Sequence, residues 1–302
     1  MKQKKSIWAV LFVMLLMALS VNGAVAEDDV LRSGDYQYRV LEDGTAEITS
    51  YSGGDSVLKI PNTLDGKTVT SIGDEAFVAC SALTNIELPD SVTSMGVNPF
   101  ADCWRLKNIQ VSPEQPVFAV IDGVLFNKAE KSLVCYPAGK QEEAYEVPQG
   151  IQQIKSYAFY DCSALTSIKL PDSVTSIGES AFCGCDSLTT IELPDSVTSI
   201  GDEAFAWCST LTSIELPDSV TSIGGEAFSE CSSLTSIELP DSVTSIGKSA
   251  FSDCSSLTTI ELPDSVTSIG ESAFYGCSSL TSIELPDSVT SIGKSAFSDC
   301  SS

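Results

Sequence analysis

Residues 165–187 read LTSIKLPDSVTSIGESAFCGCDS, and a near copy of that string follows every 23 residues. The first leucine of each unit falls at Leu165, Leu188, Leu211, Leu234, Leu257 and Leu280, so six units fill 165–302 without remainder. A fixed period of this length marks a stacked-repeat protein. Upstream the pattern loosens. Residues 83–103 are a good copy, 58–80 carry a longer loop around Asp65-Gly66, and 147–162 are slightly degenerate.

The apolar unit positions are 1, 4, 6, 10, 13, 17, 18 and 21. Positions 4 and 6 alternate, as a half-buried strand requires. Proline at position 7 ends ladder pairing because it has no N–H to donate. Asp-Ser at positions 8 and 9 is turn chemistry. Val174 and Ile177, at positions 10 and 13, predict a second short extended segment, and glycine at position 14 a tight bend. The Ala-Phe-x-x-Cys stretch predicts a short helical turn with Ala, Phe and Cys inward. Eight buried side chains per unit cannot close a core alone, but stacked coils cover one another.

The unit L-x-x-I-x-L-P-x-x-V-x-x-I-x-x-x-A-F-x-x-C-x-x resembles the BspA-like, bacterial surface-antigen class of leucine-rich repeats. The opening, from Tyr38 through Ile60-Pro61 to Phe77, resembles that family's first repeat, and the likeness covers nearly all of residues 36–302. It implies a repeat solenoid: a right-handed leucine-rich-repeat coil, β-rich, with one short helical turn per repeat. It also implies display on, or release from, a microbial surface, with adhesive or recognition roles and a ligand that varies within the family. At the strand spacing of ~4.8 Å, nine or ten coils would span about 45 Å.

The first 26 residues have the layout of a secretory signal peptide. Lys2, Lys4 and Lys5 precede an apolar run from Ile7 to about Leu19, and Ala24-Val25-Ala26 offers a small-x-small cleavage site. The run is shorter than the ~20 residues a bilayer needs, so no membrane span is expected after cleavage. Losing three lysines takes the net charge from −25 to −28. A body this acidic repels nucleic acid and anionic membranes. The domain reading is therefore 1–26 signal peptide, 27–57 N-terminal cap segment and 58–302 solenoid, with an irregular repeat at about 106–146.

In that irregular repeat Asp122-Gly123 separates Val117–Ile121 from Val124–Phe126, a strong hairpin signal. Residues 132–136 read as a third strand. The hairpin either extends the sheet or protrudes to meet a ligand with Phe118, Phe126 and Tyr136.

The chain has no histidine, which removes Ser-His-Asp and Cys-His catalysis and His-based zinc sites. No glycine-rich loop cradles a phosphate. Every repeat carries nearly the same acids, whereas an active site is singular, so the chain reads as non-enzymatic and without a cofactor. Nine of eleven cysteines stand at position 21. They read as a row of buried small hydrophobes, with disulfides between coils as the alternative. Cys183, at position 19, reads as outward and the best candidate for a reactive thiol.

Positions 3 and 5 flank the inward isoleucine and face out. They form the candidate ligand-binding face: Ser167, Lys169, Thr190, Glu192, Ser213, Glu215, Ser236, Glu238, Thr259, Glu261, Ser282 and Glu284. The face reads in three ways: a solubilising surface, an acidic strip for a basic or multivalent ligand, or carboxylates bridged by calcium. Tyr160, Trp207 and Tyr275, at the variable positions 19 and 20, are candidate aromatic contacts. The expected partner is an extracellular protein or glycan, with a ligand-free stalk or spacer as the rival. Ser302 closes a complete unit with Leu285, Val289, Ile292 and Phe297 uncovered, which predicts a fragment of a longer protein or end-to-end self-association.

Overall fold

The computed structural model describes residues 30–300, so the signal-peptide reading of 1–26 lies outside the described residues. The chain is a β-solenoid of about 11 turns. Each regular coil contributes a strand at positions 3–5 and another at positions 12–13. The first kind stack in parallel, residue on residue, through Ala144–Glu146, Ser167–Lys169, Thr190–Glu192, Ser213–Glu215, Ser236–Glu238 and Thr259–Glu261. The second kind run from Ser132–Cys135 through Gln153–Ile154 to Ser291–Ile292. Registry is exact to the repeat: Ile168 faces Ile191, and Ile200 faces Ile223.

The third side of the coil differs from expectation. Among the described residues no helix forms at Ala-Phe-x-x-Cys. Positions 16, 18 and 20 instead send their N–H groups to the next coil, as in Glu203 to Gly225 O, Phe205 to Ala227 O and Trp207 to Ser229 O, each 2.8 Å. A helix needs those N–H groups for its own turns. Residues at positions 16 and 20 adopt left-handed backbone, with φ of 55° at Glu203 and 62° at Trp207, which also interrupts helical winding.

Position 14 is glycine for a reason other than bending. A Cβ on Gly247 would stand 2.5 Å from the carbonyl carbon and oxygen of Gly224 in the preceding coil. Backbone meets backbone there, and only glycine permits it.

The core follows the repeat. Phe182, Phe205, Phe228, Phe251 and Phe274 are fully buried and stack in one column, with ring centroids 5.2–5.5 Å apart and planes within 8°. Beside them runs the cysteine row. In most coils the thiol donates to the phenylalanine carbonyl of the coil before, as Cys231 does to Phe205 O at 3.1 Å, while Cys80 and Cys162 donate to the carbonyls of Tyr51 and Tyr136. All eleven cysteines are free, and most are buried. Threonines at positions 2 and 11 add side-chain ladders, such as Thr189 Oγ1 to Thr166 O at 3.2 Å.

Two cores exist, and the hairpin divides them. Phe118–Ile121 pairs antiparallel with Val124–Asn127, which pairs with Ser132–Cys135. Val124 and Phe126 pack into the C-terminal core, while Leu125 between them packs into the N-terminal core. Both faces of this strand are buried, which explains its unbroken apolar run. Gln115 seals the hairpin base, giving Nε2 to Val92 O at 2.6 Å and taking the Val117 N–H at 2.7 Å. The protruding reading fails here: Phe118, Phe126 and Tyr136 are each only 3% exposed.

N-terminal to the coils, Leu31–Ser33, Tyr36–Val40 and Ala46–Tyr51 form an antiparallel meander whose last strand pairs in parallel with Lys67–Ile72. Tyr51 lies over Phe77 with centroids 5.7 Å apart.

Candidate ligand-binding face

The strand at positions 3–5 buries its middle isoleucine and exposes its neighbours, so the pleat itself sets out the candidate face. Ser167, Lys169, Thr190, Glu192, Ser213, Glu215, Ser236, Glu238, Thr259 and Glu261 are all exposed on one sheet. Ser282 and Glu284 are exposed as well, although residues 281–286 carry no strand. Asp172, Asp195, Asp218, Asp241 and Asp264 stand exposed beyond the prolines that end these strands.

The charge is unevenly placed. In the N-terminal stack Lys59 faces Glu87, with Nζ 2.7 Å from Oε1, and Glu87 faces Gln110. In the C-terminal stack Lys169 faces Glu146 at 3.1 Å. Lys169 also faces Glu192 in register, and beyond Glu192 no cation stands in the ladder among the described residues. Glu192, Glu215, Glu238 and Glu261 stand in consecutive register. The hydroxyls of Thr190, Ser213, Ser236 and Thr259 beside them bond no group among the described residues, whereas those of Thr189, Thr212 and Thr235 are spent on neighbouring carbonyls. The face therefore offers a row of unengaged hydroxyls next to a row of unpaired carboxylates, repeated at the coil spacing.

The aromatic candidates are not brought to that face. Trp207 and Tyr275 are 38% and 37% exposed, but both belong to the turn ladder, three coils apart. Tyr160 is half-buried against Tyr157, 5.6 Å between centroids, and burial pushes its hydroxyl pKa up.

Cys183 is not outward. It is 7% exposed, and burial raises its pKa well above the ordinary thiol value. Position 19 folds under the turn in this coil. The thiol with the opposite tendency is half-exposed Cys80, whose pKa is lowered by the Cys103 thiol. No group of three or more Asp, Glu, Cys or His side chains that could hold a metal ion occurs among the described residues. No helix of the described residues is long and apolar enough to cross a membrane.

The sequence profile of the BspA type leucine rich repeat region matches the chain in 6 copies, over residues 56–131, 138–254 and 198–302. No curated protein matches. Among solved structures the fold is similar to a leucine-rich repeat protein from Eubacterium ventriosum, with 22% identity, a TM-score of 0.69, and 88% of this chain and 93% of that one covered. It is also similar to the pneumococcal vaccine antigen PcpA, with 19% identity, a TM-score of 0.52, and 80% and 92% covered. At these identities the two structures speak for the fold alone. Profile, period and architecture agree, and the chain belongs to the BspA-type leucine-rich-repeat family.

Proposed function

We propose that this protein is exported and acts outside the cell, secreted or at the surface, as an adhesion module. It binds an extracellular protein or glycan through the repetitive sheet face of residues 167–284. The observation that carries this reading is the uninterrupted row Glu192, Glu215, Glu238 and Glu261, beside hydroxyls that bond no group among the described residues. Aligned like charges work against the fold. Many weak, equivalent contacts at a fixed spacing suit a multivalent, basic partner, for which avidity supplies strength. Neither catalysis nor nucleic-acid binding belongs to this reading.

One observation favours a rival, a surface spacer without a specific ligand. The exposed positions barely vary from coil to coil, so the face carries little information beyond charge and spacing. Surface binding of residues 27–302 to a panel of extracellular-matrix proteins and glycans, at low and high salt, separates the two. Saturable binding to a few members supports recognition. Binding to none leaves the spacer.

A further inference from the structure

Among the described residues the turn-side ladder breaks where the two cores meet, and the break opens a notch. In regular coils the N–H groups of positions 18 and 20 bond the next coil. At the junction between the two cores Phe100 and Asp102 hold those positions, and among the described residues their N–H groups find no partner; nor does that of Ala138 in the coil beyond. That coil reads Tyr136-Pro137-Ala138-Gly139 instead of Ala-Phe-x-x-Cys. Tyr136 takes the phenylalanine place, stacked 5.3 Å from Phe159 and donating its N–H to Ala158 O at 2.7 Å. Ala138 stands at position 20, where other coils carry Trp207, Glu230 or Asp253 and two carry Gly184 or Gly276 with their ladder bonds intact.

The resulting gap lies among Asn98, Asp102, Trp104, Tyr157, Tyr160 and Asp161, and its free volume is about 20 Å³, room for one water-sized group. Its mouth carries Trp104, 58% exposed and the most exposed aromatic side chain of the described residues. Neither Asp102 nor Asp161 pairs with a cation among the described residues. Burial raises the pKa of both, that of Asp161 to about 7, with Asp102 adding to the rise and the Trp104 indole partly offsetting it.

These groups answer one kind of ligand. Free N–H donors and carboxylate acceptors in one gap suit a hydroxyl, which both accepts and donates. An exposed indole beside them offers an apolar plane to the face of a sugar ring. The gap admits a single hydroxyl or hydroxymethyl group, and the ring remains outside on Trp104. Two carboxylates on a strongly acidic chain repel anionic sugars.

We infer that the junction notch of Asp102, Trp104, Ala138, Tyr157 and Tyr160 is a binding subsite for an uncharged hexose unit of a glycan. The site lies on the turn side, apart from the glutamate ladder, and stands or falls independently of it.

The test is ligand-observed saturation-transfer NMR on residues 27–302. The probes are the methyl glycosides of glucose, galactose, mannose and N-acetylglucosamine, with glucuronate as the anionic control. At least one uncharged sugar should bind saturably, at millimolar strength, and glucuronate should not. Trp104→Ala and Asp102→Asn should each weaken that binding at least tenfold, while Trp207→Ala leaves it unchanged. Circular dichroism of each variant establishes that the fold is retained; Trp104 is exposed and Asp102→Asn nearly isosteric. In a Trp207→Phe background Trp104 is the sole tryptophan after residue 26, so its fluorescence places the sugar. The inference is overturned if no uncharged sugar binds, if glucuronate binds equally, or if binding survives both Trp104→Ala and Asp102→Asn.

Discussion

Glu215 stands directly opposite Glu238 in a parallel ladder, and Glu238 opposite Glu261. Neither pair has a cation between its members, whereas the first stack settles the same positions with Lys59 and Glu87. Like charges in register are destabilising. Glu238→Gln should therefore raise the unfolding midpoint at low ionic strength by about 1–3 °C. The gain should shrink in high salt, because these charges are exposed and screened. Thermal melts of both proteins at two salt concentrations measure it.

Gly247→Ala should be costly although its backbone is not left-handed. The added methyl would overlap the Gly224 carbonyl group at 2.5 Å, so adjacent coils must separate. Overpacking of this kind costs about 1–3 kcal/mol, and more where backbone cannot yield. Chemical denaturation gives the number. An unchanged midpoint would mean that the coils do not approach as described.

Asp161 sets a pH dependence. Burial, with Asp102 and Asp186 nearby, raises its folded pKa from 3.8 to about 7. Between those values the folded state keeps a proton that the unfolded chain has released. Stability should fall as pH rises through that window, on the order of 1–3 kcal/mol after allowance for partial exposure. Asp102, Asp186, Glu203 and Glu230 are raised too, so they push in the same direction. Asp161→Asn should stabilise the protein at pH 8 and flatten the slope between pH 4 and 7.

Thiol labelling orders the cysteines. Native protein treated with a disulfide reagent should modify half-exposed Cys80 early and Cys183 only on unfolding, because the thiolate is the nucleophile and burial disfavours it. Mass-spectrometric mapping after a short pulse reads the order. Early modification of Cys183 would restore the outward placement read from the sequence.

The repeat made most of the fold legible. Strands, turns, the phenylalanine and cysteine columns and the outward positions 3 and 5 all follow from one 23-residue string, because each coil has nothing to pack on but its own copy. Three points were hidden. Ala-Phe-x-x-Cys looks helical locally, but its alternate N–H groups bond the next coil, a choice visible only in the stack. Position 14 reads as a bend and is in fact a backbone contact 23 residues away. Cys183 reads as outward by offset and is tucked beneath the turn. Of the candidate site, the glutamate ladder was legible because period and pleat fix it. The junction notch was not, since it arises where the pattern breaks. Its only sequence signal is Tyr136-Pro137-Ala138-Gly139 standing in for the regular turn.

The most direct test of the central claim is to replace Glu192, Glu215, Glu238 and Glu261 together by glutamine in residues 27–302. Binding to the extracellular partners that the wild-type protein retains is then compared at low and high salt. The account predicts loss of at least tenfold in affinity at low salt, with little difference left at high salt, and a variant at least as stable as the wild type. Undiminished binding at low salt by a folded variant would contradict it and move recognition off the glutamate ladder.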